Sequence, residues 1–134
     1  MDNAGDLFVV NNYNGVVSKI KYAQIPSVSF PTATVQGTTD TTDGTQTVFI
    51  NNIGNEPLTL ASITYGADFP EATGDSSACS TSLSAGAACV LPIDFLPESV
   101  GAPLSEAVTL TDNNLNGTAA QQSIPAAAQP RPPR

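Results

Sequence analysis

The chain has no histidine, and this absence excludes more chemistry than any motif it contains. Histidine is the usual general base near neutral pH and the commonest metal ligand, so a Ser-His-Asp or Cys-His site is ruled out within these residues. Positive charge is also scarce: four Lys and Arg stand against twelve Asp and Glu, a net charge of −8 over 134 residues. Such a surface repels phosphate backbones and anionic lipid, which argues against nucleic acid as a partner. No apolar run approaches the roughly 18–20 residues of a membrane-spanning helix, so membrane insertion is not expected. The opening residues MDNAGDLF lack the basic start and apolar stretch of a signal peptide, so an exported protein would begin upstream of Met1, in a longer parent chain. Helical periodicity, internal repeats and cofactor motifs are missing as well, and no cofactor is expected.

What is present is short apolar alternation cut by turn residues. The most informative stretch is CSTSLSAGAACVLPIDFLP, residues 79–97. It reads as two short strands around a small-residue turn, the second sending Cys89, Leu91, Ile93 and Phe95 to one face at the two-residue period of a strand. Cys79 and Cys89, the only cysteines, point to one disulfide and an oxidising compartment; two buried free thiols are the alternative. Closing so short a loop stabilises by about 2–3 kcal/mol in the chain-entropy account.

The remaining segments supply partners for that face. Residues 7–10 and 16–22 flank Asn14-Gly15, the strongest short-range hairpin signal. Val28 and Phe30 share a face; Pro31 is expected to break the strand before Val35. Asp43-Gly44 marks a turn, and Val48 and Ile50 alternate inward. Gly54 is expected to be left-handed within a turn at 51–58. The spacing of Leu58, Leu60 and Ile63 slips from two to three, which predicts a bulge near Ala61. Phe69 is expected to plug the core edge, and Val108, Leu110 and Ile124 to face inward. Pro92 and Pro125 each delete a ladder donor and so predict edge strands or bulges. About seven short strands at such spacings predict an all-β antiparallel sandwich. The division expected is a hairpin at 1–24, the sandwich at 25–127 and a proline-rich tail or linker at 128–134.

Few residues suggest chemistry. Asp112, Asn114 and Asn116, followed by Gly117, match the first half of a calcium loop, with oxygen ligands at positions one, three and five. Position twelve is Ser123 rather than Glu, so the bidentate ligand is missing, and an Asx-type turn is the plainer reading. Asn116-Gly117-Thr118 is also a glycosylation sequon. Lys19 and Lys21 share a strand face without a catalytic motif. Glu98 and Glu106 are scattered surface charges rather than an acid–base couple. Phe8, Tyr13, Tyr22 and Tyr65 could stack a sugar, but aromatics dispersed over strands more often pack across them.

Two resemblances attach to particular residues. DNAGDLFVVNNYNGVVSKIKY, residues 2–22, resembles a repeat of NHL-type β-propellers. From residue 27 to roughly residue 127 the chain resembles the immunoglobulin-like ASH domain, and more closely the bacterial choice-of-anchor D modules. Val28-Ser29-Phe30, Gln46 through Leu58 with Asn51-Asn52 and Gly54-Asn55, Phe69, Cys79, Leu83, Ala85-Gly86, Cys89, Phe95 to Pro97, Gly101 and Val108 through Asn113 carry it. Pro92, Pro125 and the ending Pro-Ala-Ala-Ala-Gln depart from that pattern. The resemblance implies an immunoglobulin-like fold and a non-catalytic structural or interaction module of a secreted or cell-surface bacterial protein, meeting a protein partner or itself through sheet edges. Two rivals are a self-assembling extracellular fibre subunit that donates strands between neighbours, and a carbohydrate- or calcium-binding adhesin domain. An enzyme is not expected.

Overall fold

The computed structural model of the chain describes residues 7–11, 16–20, 27–113 and 119–133. The two N-terminal apolar runs form β1 (Leu7–Asn11) and β2 (Val16–Ile20), an antiparallel pair with Leu7 opposite Ile20 and Asn11 opposite Val16.

Seven further strands make an all-β sandwich, and no helix forms among the described residues. They are β3 (Val28–Val35), β4 (Gln46–Asn51), β5 (Leu58–Thr64), β6 (Ser82–Leu83), β7 (Ala88–Ile93), β8 (Leu104–Asp112) and β9 (Ala120–Arg131). One sheet has the order β3-β9-β8-β5-β6; the other is the pair β4-β7. All ladders are antiparallel but one: β3 runs parallel to β9, with Val28 opposite Ala126. A parallel pair needs a long connection, and here nearly the whole domain lies between the two strands.

Inward faces follow the expected alternation. Val28, Phe30, Val48, Leu60, Leu91, Ile93, Phe95, Val108, Leu110 and Ile124 are all buried in one core. Phe69 goes deeper than the core edge: fully buried, it stacks on Phe95 at 5.3 Å between ring centroids and lies 6.0 Å from Phe30, one corner of an aromatic trio. Truncating such a ring to Ala costs about 3–5 kcal/mol, because the cavity it leaves relaxes only in part. The bulge near Ala61 is present as a register shift between Leu60 and Ser62 against β8.

Four expectations are corrected. Pro31 does not end its strand; β3 runs on to Val35 and absorbs the proline in a register shift between Phe30 and Thr34. Gly54 is not among the left-handed residues; its N–H donates to Asn52 Oδ1 at 3.0 Å, and an added Cβ would sit 3.2 Å from that atom. Residues 82–93 are not a hairpin. β6 pairs with β5 and β7 with β4, so the turn at Ala85-Gly86 carries the chain from one sheet to the other.

The fourth correction concerns the prolines of the last strand. β9 is interior, not an edge, and it continues through Arg131, so residues 128–131 are strand rather than tail. Proline lacks only the N–H, so what matters is the flank to which that missing donor points. The Arg131 carbonyl accepts from Gln36 N on the β3 side, which by strand alternation puts Pro125 on that side and Pro130 on the β8 side. Pairing with β3 starts only at Ala126, and pairing with β8 ends at Ala128. Each proline therefore faces a flank with no ladder to lose.

Candidate functional site

The second layer is built on β7. Along one flank, Gln46 to Asn51 of β4 pair with Ile93 to Ala88. The other flank is covered by the irregular segment 70–79: Cys79 N donates to Val90 O at 2.8 Å, Val90 N to Ser77 O at 3.0 Å and Ala72 N to Pro92 O at 3.0 Å. Pro92 faces this irregular side, so the β4 ladder keeps all its donors. The Cys79–Cys89 disulfide, with Cα atoms 4.9 Å apart, pins the segment to β7 rather than joining two strands of a hairpin.

In the sandwich β3 and β6 are the edges of one sheet and β4 and β7 of the other, and the outer flank of β7 is covered by residues 70–79. Exposed edges invite pairing with another chain, and natural sheets blunt them with bulges, prolines, charges or short length. β3 carries Pro31 and a bulge, and β6 is two residues long. β4, QTVFIN, has none of these devices. Asn52 N continues its inner ladder to Ala87 O at 2.9 Å, so by alternation Thr47, Phe49 and Asn51 turn their main-chain groups outward. No strand pairs with that flank among the described residues. On the outer face Phe49 lies opposite Val90 and is 69% exposed, and Ile53, just past the strand, is 76% exposed. Large apolar side chains so exposed beside an open edge mark a contact surface better than scattered singles do.

The charge around this edge has one sign. Between residues 27 and 130 there are ten Asp and Glu and no Lys or Arg. The described cations outside that span, Lys19 and Arg131, belong to β2 and to the last residue of β9.

Most of those carboxylates have structural tasks. Glu106 Oε2 accepts from Asp68 N at 3.0 Å, and Asp68 Oδ1 accepts from Glu98 N at 2.6 Å, which fastens the loop that inserts Phe69. Glu98 and Glu106 are thereby linked through Asp68 and not to each other. Asp43 accepts from the N–H and the hydroxyl of Thr32, each at 2.7 Å, and the Thr32 N–H above all holds its carboxyl below the ordinary value of 3.8. Asp75 is likewise lowered, by the Ser77 hydroxyl and then the Ser77 N–H.

Asp112, first residue of the candidate calcium loop, ends β8, is buried and accepts from Gln122 Nε2 at 2.8 Å. Asn114 and Asn116, with the sequon, lie outside the described residues, as do Tyr13, Tyr22 and Lys21. Tyr65 packs against the core instead of standing on an aromatic platform, and burial, with the nearby Glu71 charge, pushes its hydroxyl up to about 12. No group of three or more His, Cys, Asp or Glu placed to hold a metal ion occurs among the described residues, and no helix there is long and apolar enough to cross a membrane. The open β4 edge was missed from sequence. Its only signal was the bulky Phe49 on the outward parity of QTVFIN.

No protein-family model and no curated protein matches the chain. Among solved structures, a protease from Vibrio cholerae, VesB, superposes with a TM-score of 0.54 at 13% identity, over 77% of this chain and 30% of that one. This chain thus spans less than a third of that protein, and a likeness at such identity concerns the fold alone.

Proposed function

We propose that the chain is a non-catalytic interaction module of a secreted or cell-surface bacterial protein, a sandwich of the ASH and choice-of-anchor D kind that docks an extended, basic segment of a partner along β4. The observation that carries this reading is the unblunted β4 edge with exposed Phe49. Strand addition takes its affinity from main-chain hydrogen bonds and its specificity from alternate side chains. Residues 27–130 carry ten Asp and Glu and no Lys or Arg, a balance that selects a segment bearing Lys or Arg. A disulfide fits an oxidising compartment. A sandwich equivalent to part of a longer neighbour fits a module within a larger chain.

The self-assembling fibre is the second reading, and the hairpin favours it. A lone two-stranded sheet is marginal in water, and residues 7–22 carry Lys19 and Lys21 without an acid. The donated strand would then come from another copy.

The test is fluorescence polarisation of a labelled peptide of residues 16–22, VVSKIKY, with the full chain and with its Phe49→Glu variant. Saturable binding that weakens with salt and is lost in the variant is expected. Equal binding by both proteins, or none by either, would reject the β4 edge. Light scattering of the full chain alone separates the readings: large assemblies that Phe49→Glu dissolves favour the fibre, and monomers favour a foreign partner.

A further inference from the structure

The open edge of β4 differs from one end to the other. The β4–β7 register puts Phe49 opposite Val90 and, one rung before β4 begins, Thr45 opposite Asp94. That rung is closed by the Thr45 hydroxyl, which donates to Asp94 Oδ1 at 2.6 Å. By two-residue alternation Thr45, Thr47 and Phe49 share the outer face with Asp94, Pro92 and Val90. Asp94 is the one charge among them. At the far end, residues 51–55 read Asn-Asn-Ile-Gly-Asn, uncharged, with Ile53 exposed. The outer face is thus acidic where β4 starts and apolar from its middle onward.

A strand added to this edge meets that difference residue by residue. Its positions opposite Phe49 and opposite Thr45 are four residues apart and both lie on the outer face. From the second, Asp94 lies across Thr45 at two strand spacings, about 10 Å. A Lys or Arg side chain and an Asp carboxylate together close that gap. The carboxylate has lone pairs to spare beyond its bond from Thr45. Antiparallel ladders are the commoner kind and the more stable per residue. An antiparallel strand runs from Phe49 toward Thr45, so its apolar position comes first.

We propose that β4 selects an antiparallel strand in which an apolar residue precedes a Lys or Arg by four positions. The apolar side chain packs beside Phe49, and the cation reaches Asp94. This selection rests on β4 being a docking edge, and it adds a direction, a register and a charge partner.

The experiment uses three peptides of one composition, TVTSTKT, TVTKTST and TKTSTVT, labelled at the N-terminus and amidated at the C-terminus. Lysine is then their only charge. Fluorescence polarisation is read with the full chain and with its Asp94→Asn and Phe49→Glu variants. The unmodified chain should bind TVTSTKT tighter than the other two by about three- to fivefold, the worth of an exposed ion pair. Asp94→Asn keeps an acceptor for Thr45 and should erase the preference, leaving the three peptides alike. Phe49→Glu should lose all three. Equal binding of the three by the unmodified chain, lost in Phe49→Glu, would overturn the selection and leave the docking edge standing. A preference for TKTSTVT would overturn the antiparallel direction, and a preference that survives Asp94→Asn would overturn the charge partner. No binding of any peptide would overturn the edge and the selection together.

Discussion

Asn52 Nδ2 donates to the carbonyl of Leu83 at 2.9 Å, across 31 residues of sequence, and so ties the exit of β4 in one sheet to β6 in the other. The same nitrogen donates to Glu56 O at 2.8 Å while Oδ1 accepts from Gly54 N at 3.0 Å. Every polar atom of this buried side chain is used. Asn52→Ala strips two carbonyls of their donor, and unfolding in urea should show a loss of about 1–3 kcal/mol with an unchanged m-value. Asn52→Asp should be worse, because it aims a carboxylate at two carbonyl oxygens. A neutral Asn52→Ala would mean that water replaces the amide without cost.

Gly66 lies against Glu106, and an added Cβ would collide with its carboxylate. Gly66 is not left-handed, so alanine meets no backbone strain there and the contact alone is probed. Gly66→Ala should displace Glu106 from Asp68 N and destabilise by about 1.5–3 kcal/mol, the worth of a hydrogen bond to a charged group. In a Glu106→Ala background the same change should cost little. This non-additivity, read by thermal melting of the four proteins, is the check.

Stability should depend on pH at both ends. Asp43 and Asp75 have folded-state values below the ordinary 3.8, so the stability they lend is present above that value and is lost as pH falls through the lowered ones. Melting temperature should therefore hold steady from neutral pH down to about 4 and fall below it. Thr32→Val, which removes the hydroxyl donor to Asp43, should move that fall toward higher pH. Tyr65 runs the other way: its value rises from 10.0 to about 12, so the contribution is intact below pH 10 and disappears between pH 10 and 12. Phenolate absorbance should show one tyrosine titrating late, and Tyr65→Phe should flatten the alkaline limb.

Faces were legible in this sequence; neighbours were not. Two-residue alternation puts Val108 and Leu110 inward whichever strand lies beside them, and the slip between Leu60 and Ile63 exposed the bulge. Pairing carries no such local signature. Ser82-Leu83 and 88–93 look like one hairpin because a small-residue turn joins them, yet nothing local says that the second strand ladders with β4. The Phe69 loop was undervalued for a related reason: its anchors, Glu106 and Glu98, lie 37 and 29 positions away in sequence. The β4 edge depends on what fails to stand beside a strand, and alternation cannot show this.

The prolines of β9 put that distinction to a quantitative test. Pro125 and Pro130 occupy positions whose missing donors point to unladdered flanks, so restoring an N–H there gains no sheet bond. Pro125→Ala and Pro130→Ala should each lower stability by no more than about 1 kcal/mol, chiefly through the freer unfolded chain. Ala127, between them, pairs with Ser29 of β3 and shares the parity of Arg131, so its N–H points into the β3 ladder. Ala127→Pro should cost at least about 2 kcal/mol, from a lost ladder bond and a carbonyl left without its donor. It should also speed hydrogen exchange along β3 from Val28 to Phe30, while the two proline-to-alanine variants leave those amides protected. If all three changes cost the same, composition rather than flank would govern this strand, and the parity assigned to Pro125 would be wrong.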